Sequence, residues 1–334
     1  VPERSTTSQT VAIGTEATPG TAVAATRRLG SIGFQMGVQT ETQNRRPTGQ
    51  KYDSLVTLGQ EWTEADIEGA PVYPELPYIF SSLINAATVT QIMDATTATG
   101  AFRWVFESNS FGEDAPKTFT IEQGSSFRAH RVSNGIITDF TLEFDREELS
   151  IEGTMLAKAI EDGITLTPGA TMRDQVPVLP KDVSVFLDAT AAELGTTKLN
   201  RALSGSIDIE SRYAPLWVVD ASQPSFVTTL ESNEAELSFS ILQMADAQAM
   251  ANLTAMRGGQ TRFLRFQAQG PTIYSGTTPI RHSFVIEMAG QVQEVEQFDD
   301  EDGVYAIGWT FGVVHDPTWN KAYRVEVVTN HGQL

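Results

Sequence analysis

Alternation with a period of two dominates this chain. Residues 117–122, 138–144, 147–152 and 234–241 each place an apolar side chain at every second position, with acids, Ser or Thr between. Runs of that kind make strands buried on one face, because a helix brings residues to one side only every three or four positions. Two stretches depart from the pattern. Residues 78–87 follow Pro77 and put Ile79, Phe80, Leu83 and Ile84 on one side of a helix, while residues 245–257 do the same with Ala249, Met250, Leu253 and Met256 before Gly258-Gly259. The pattern predicts a mainly β chain with one helix in each half.

Residues 166–180 carry Pro168, Pro177 and Pro180 without a clear period and predict a linker. A division near residue 172 gives two domains of ordinary size, 1–172 and 173–334. The halves read as diverged copies. Leu29-Gly-Ser-Ile-Gly-Phe34 aligns with Ser204-Gly-Ser-Ile-Asp-Ile209 at an offset of 175, and Ser54-Leu-Val-Thr57 with Ser225-Phe-Val-Thr228 at an offset of 171. Each half is expected to run as a strand pair, a helix and a closing strand pair, with hairpins at 136–157, 203–240 and 281–314.

The residue inventory offers little chemistry. Cysteine is absent, so no disulfide, thiolate zinc site or Cys nucleophile exists. His130, His282, His315 and His331 stand alone, without HExxH or H-x-H spacing, and neither GxSxG nor a Walker loop occurs. The sequence therefore predicts no enzyme, no cofactor and no metal centre. The run Asp299-Asp-Glu-Asp302-Gly303 fails as an EF-hand, because Phe298 and Trp309 would occupy positions one and twelve. It leaves two readings, a looser calcium site or an exposed hairpin tip. No apolar run approaches the ~20 residues that span a bilayer, and Val1-Pro-Glu-Arg-Ser5 lacks a signal-peptide core.

Charge carries more information. With 23 basic and 42 acidic residues the net charge is −19, which argues against holding nucleic acid through its phosphates. The acids fall on the polar faces of the strands, spaced by Gly, Ser, Thr and Gln. Gln35, Gln39, Glu41, Glu64, Asp66, Glu68, Asp139, Glu143, Glu148, Glu152, Asp208, Glu210, Glu234, Glu236 and Glu287 form this set, with scarcely a cation among them. One reading is a solvated outer face, common in antiparallel sheets. The other is a surface that must not retain an anionic polymer. Trp62 interrupts the alternation of 55–68, and a bulge near Gly59-Gln60 would restore its register.

The segment Val11-Ala-Ile-Gly14-Thr15-Glu16-Ala-Thr-Pro19-Gly20-Thr21-Ala22-Val23 resembles the N-terminal strand and G-T-A turn of the major tail (tail tube) proteins of long-tailed bacteriophages. The basic loop Gln43-Asn-Arg45-Arg46-Pro47-Thr-Gly49-Gln-Lys51 and the order of elements after it are similar to that family. The resemblance implies two tandem β-sandwich or barrel domains, each with a flanking α-helix, whose strands join a continuous inner β-barrel in a ring. Eight lining strands are expected, at 29–41, 55–68, 136–145, 147–157, 203–212, 225–240, 281–289 and 303–314. The duplication implies trimeric, pseudo-hexameric rings stacked through Arg45, Arg46 and Lys51. It further implies a virion protein assembled in the host cytoplasm, partnered by tape measure, terminator and distal tail proteins, with an acidic lumen passing double-stranded DNA. Two other classes stay open: an extracellular β-sandwich binding module that takes carbohydrate with calcium near 299–302, and a hydrolase using paired carboxylates such as Asp139 and Glu143.

Overall fold

The computed structural model describes residues 9–220, 225–232, 235–301 and 303–334. The first half runs β1 (Thr10–Thr15), β2 (Arg27–Leu29), β3 (Ile32–Arg45), β4 (Leu55–Gly69), α1 (Leu76–Leu83), β5 (Thr88–Asp94) and β6 (Thr97–Glu107). It continues with β7 (Phe119–Gly124), β8 (Ala129–Phe144), β9 (Leu149–Ala157) and β10 (Glu161–Ile164). The two-residue β11 (Thr171–Met172) leads to β12 (Val183–Asp188), β13 (Ala202–Glu210), β14 (Tyr213–Leu216), β15 (Thr228–Glu231) and β16 (Glu236–Met244). The chain closes with α2 (Ala247–Arg257), β17 (Arg262–Tyr274), β18 (Ile280–Val295), β19 (Asp299–Glu301), β20 (Val304–Val313) and β21 (Tyr323–Thr329).

Eight strands lie side by side in one main sheet, in the order β3–β4–β9–β8–β13–β16–β20–β18, every neighbour antiparallel. β8 and β18 are long enough to leave it. Before residue 136, β8 pairs instead with β7 and β10; before residue 290, β18 pairs with β17 and β21. Asn134, at φ 55°, marks the point where β8 changes sheets.

The ladders repeat. β3–β4, β4–β9, β9–β8, β8–β7, β7–β1 and β8–β10 correspond in turn to β13–β16, β16–β20, β20–β18, β18–β17, β17–β12 and β18–β21. In both halves a helix follows the second strand of the first pair. The halves also interlock, since β8 pairs with β13 and β6 with β21, and one apolar cluster runs through both. Phe80 at its centre touches Phe106, Phe140 and Phe284, while Phe144 of the main sheet meets Phe266 of the layer behind it.

Several expectations need correction. Among the described residues no sheet closes on itself: β3 pairs only with β4, and β18 beyond Gly290 pairs only with β20, so the main sheet is open at both ends and not strongly curled. The continuous inner β-barrel is therefore not what this chain forms, and the barrel-walled trimeric, pseudo-hexameric tube ring loses its basis with it. Helix α1 does not flank the sheets but is buried on every side. Ser82 tolerates this because its Oγ accepts the Ile137 N–H at 3.0 Å, whereas the Ser81 hydroxyl is buried without a partner and only its backbone carbonyl is engaged, by Lys117 N at 2.8 Å. Helix α2 is capped by Asp246, which accepts from Gln248 and Ala249, and turns Ala249, Asn252 and Ala255 inward rather than its methionines. The expected strand 225–240 is two strands, β15 pairing with β14 in a separate ribbon and β16 in the main sheet.

Candidate functional site

The main sheet buries one face and leaves the other polar. Ile32, Phe34, Ile67, Ile151, Leu142, Ile207, Ile209, Phe239, Ile241 and Phe311 point inward, which the two-residue period dictates once register is fixed. The opposite face can be followed strand by strand through the register. One row crosses all eight strands as Gly33, Glu68, Glu152, Thr141, Asp208, Ser238, Gly312 and Gln291. The next reads Ser150, Glu143, Ser206, Ser240, Thr310 and Glu294. Across the main-sheet segments (32–45, 55–69, 136–144, 149–157, 202–210, 236–244, 290–295 and 304–313) there are twelve acids and a single base, Arg45.

This distribution costs stability. Glu68 stands directly opposite Glu152, and Glu210 opposite Glu236. Like charges so placed are unfavourable by roughly 0.2–1 kcal/mol per pair. Hydrogen bonds hold two other acids of this face in place. Asp208 accepts from Thr141 Oγ1 at 2.9 Å and Ser206 Oγ at 2.8 Å, Asp139 from Thr138 Oγ1 at 2.6 Å and Ser211 N at 2.8 Å. At the rim, the Glu148 and Glu147 N–H groups pull the Asp145 carboxyl below its ordinary pKa. A cleft of about 460 Å³ opens there between Glu143, Glu148 and Glu296, floored by Gly205, Ser206, Ser240 and Gly308. A Cβ on Gly205 would come within 2.6 Å of the Phe144 ring and the Ser240 carbonyl, so the floor is shallow by construction.

The structure distributes the predicted residues unevenly. Gln35, Glu64, Asp66, Glu68, Asp139, Glu143, Glu152, Asp208, Glu210 and Glu236 share the polar face, with Gln39 beside Trp62 in the same parity. Glu148 sits in the turn before β9, and Glu41 lies exposed opposite a two-residue bulge at Gly59 and Gln60. Trp62 follows that bulge and stays in phase with Glu64, so the bulge does not return it to the core. Its Nε1 donates to Glu64 at 2.9 Å and its ring meets Trp217, 5.6 Å between centroids, under the β14–β15 ribbon. Glu287 is a correction: it is buried in the half of β18 behind the main sheet and paired with Arg265 and Arg324. Glu234 and Asp302 lie outside the described residues. Gln291, Glu294 and Glu296 join the face unforeseen, because the sheet takes the far end of β18 rather than 281–289, while Thr310 lies on the expected strand 303–314.

Arg45, Arg46 and Lys51 lie at the tip of the β3–β4 hairpin, all exposed, with Arg46 Nη1 bound to the Lys51 carbonyl at 3.2 Å and Nε 3.9 Å from Asp53. Tyr52, Leu55, Val56 and Leu58 are exposed beside them. The turn at residues 17–20, just after β1, is held by Glu16, whose buried carboxylate accepts from Gly20 N at 2.7 Å, Thr118 Oγ1 at 2.8 Å, and Thr120 Oγ1 and Asn134 N at 2.9 Å each. It thereby ties the first strand to the residue where β8 changes sheets. Compared with known proteins, the chain matches no family model and no curated relative.

Proposed function

We propose that this chain is a structural virion subunit from the tail of a long-tailed bacteriophage, joining copies of itself edge to edge and facing its acid-rich sheet surface toward the path of double-stranded DNA. The observation that carries the reading is that surface, crossing eight strands with a single base and keeping acids opposed at a cost. Duplex DNA bears a charge every ~1.7 Å of axis and is held by cations that release its counterions. An acidic wall repels it over a Debye length of about 8 Å at physiological salt and leaves it free to slide.

The sheet edges support self-assembly. Within the chain β8 and β13 pair through five residues, Phe140–Phe144 against Gly205–Ile209. Their counterparts in the repeat, β18 and β3, are the two unpaired ends of the same sheet. The free end of one copy thus matches the free end of another as β8 matches β13, a head-to-tail contact. The exposed apolar arm with Arg45, Arg46 and Lys51 at its tip suits a contact with an acidic neighbour, itself a copy or another tail protein. The reading assigns the chain no catalytic role and no cofactor.

Negative-stain imaging and sedimentation of the purified protein test it, together with a mobility-shift assay on duplex DNA at low salt. The expected result is oligomers that lengthen with concentration and DNA that runs free. A protein monomeric at every concentration, or one that retains DNA, overturns the proposal.

A further inference from the structure

Away from the acidic face, the short parallel ladder of β2 and β11 sets Thr171 beside Arg27 and Met172 beside Arg28. It brings Arg27 and Arg173 to one cleft of about 330 Å³, walled by Phe102 and by residues 330–333. Two contacts fix that wall. The His331 carbonyl accepts from Trp104 Nε1 at 2.8 Å, and Gly332 passes so close to Phe102 that a Cβ would lie 2.5 Å from its ring.

The cations in this cleft are incompletely satisfied. Arg27 Nη1 donates to Thr171 Oγ1 at 2.6 Å, and Arg173 Nη2 donates to the Gln333 carbonyl while the guanidinium lies over the Tyr78 ring, 5.6 Å from its centre. The Nε of both arginines and Nε2 of His331 are buried without a partner. Arg212 provides the contrast. It is 8% exposed and pairs with Asp114 and Glu231, whereas Arg173, 9% exposed, has no carboxylate in ion-pair range among the described residues. Glu75, whose field reaches Arg173, has its oxygens engaged by Gly30, Ser31 and Gln175. Buried charge is ordinarily paired, and in a chain with nearly twice as many acids as bases a carboxylate would be the easiest partner to supply.

We propose that this cleft binds a phosphate group, with Arg27, Arg173 and His331 as its donors. A tetrahedral oxoanion offers acceptors to several donors at once, and arginine's planar fork suits it better than any other cation. The volume exceeds what free phosphate fills, so a small phosphomonoester would place its organic part against Phe102. The proposal is independent of the assembly reading.

His331 supplies a second readout. Burial lowers its pKa, Arg173, Arg27 and His282 lower it further, and Asp174 alone opposes them. A bound dianion adds to Asp174 and raises it. The test uses the full chain at constant ionic strength, with inorganic phosphate, phenyl phosphate and acetate as probes, followed by calorimetry and by NMR titration of His331. Saturable binding of phosphate, an upward shift of the His331 pKa on saturation, and affinity weakened by about tenfold or more in Arg27→Gln and His331→Gln are expected. Those two positions are only half buried, so they keep the test valid should Arg173→Gln fail to fold. Tighter phenyl phosphate identifies a monoester, and equal affinity identifies free phosphate. No saturable binding, undiminished binding in both variants, an unmoved His331, or acetate binding as well as phosphate overturns it.

Discussion

Replacing Glu16 separates its charge from its hydrogen-bond geometry. Its carboxylate accepts four hydrogen bonds, two from backbone N–H groups (Gly20 and Asn134) and two from threonine hydroxyls. The hydroxyls can turn to other partners, but the N–H groups cannot. Glu16→Ala orphans both, one of them at Asn134, which is 1% exposed. At roughly 1–3 kcal/mol for each of these two groups, the loss is about 2–6 kcal/mol, a large share of a typical domain's stability. Glu16→Gln keeps an acceptor for one side and must turn its NH₂ toward the other. Gly20 is less buried than Asn134, so the amide faces Gly20 and the cost falls to about 1–2 kcal/mol. Urea denaturation followed by tryptophan fluorescence measures both losses, and amide exchange at Asn134 reports the geometry, protected in the Gln variant and fast in the Ala variant. Equal losses in the two variants, or a Gln variant within about 0.5 kcal/mol of the parent, would refute the reasoning.

Three further outcomes follow from described contacts. Trp217→Ala removes the ring that meets Trp62 and Phe226, and should cost about 2 kcal/mol while opening β14–β15 to limited proteolysis. Glu287→Gln leaves Arg265 and Arg324 without their shared buried carboxylate, and should cost about 3 kcal/mol by thermal denaturation. Burial pushes the Asp188 carboxyl up, but hydrogen bonds from Thr197, Thr196 and Gly195 outweigh it and hold its pKa below the ordinary value. A depressed native pKa means the unfolded chain binds more protons, so this contribution is complete above the unfolded value near ~3.9 and fades as pH falls through the native one. Asp188→Asn should therefore lose stability at pH 7 and show a shallower acid limb than the parent in denaturation between pH 7 and 3.

The strands of the main sheet were legible because alternation and a half-buried sheet are the same fact seen twice. Phe140, Leu142 and Phe144 fix the inward face of β8, and Asp139, Thr141 and Glu143 follow on the other. Strand β18 was not legible in this way. From Phe284 to Gly290 it is covered on both sides by the layer it crosses, so Glu287 keeps the parity of a surface acid while lying in a buried ion-pair cluster. The burial of α1 was hidden too, since Ser81 and Ser82 mimic a solvent face, and only Ser82 finds a side-chain partner, on β8. The arginine–histidine cleft joins three distant parts of the chain that only folding brings together. The open edges belong to this class as well, because strand pairing beyond a hairpin leaves no local mark.

The β8–β13 ladder also bears on concentration. Two separate proteins pairing through five residues would part on dilution, whereas halves joined by one chain hold each other at an effective concentration that the linking chain sets and dilution does not change. Half of the edge contacts in any row of copies are thus made during folding and cannot be diluted away. A row of the kind proposed would grow by units already two repeats long, with its weakest joints only at every second one.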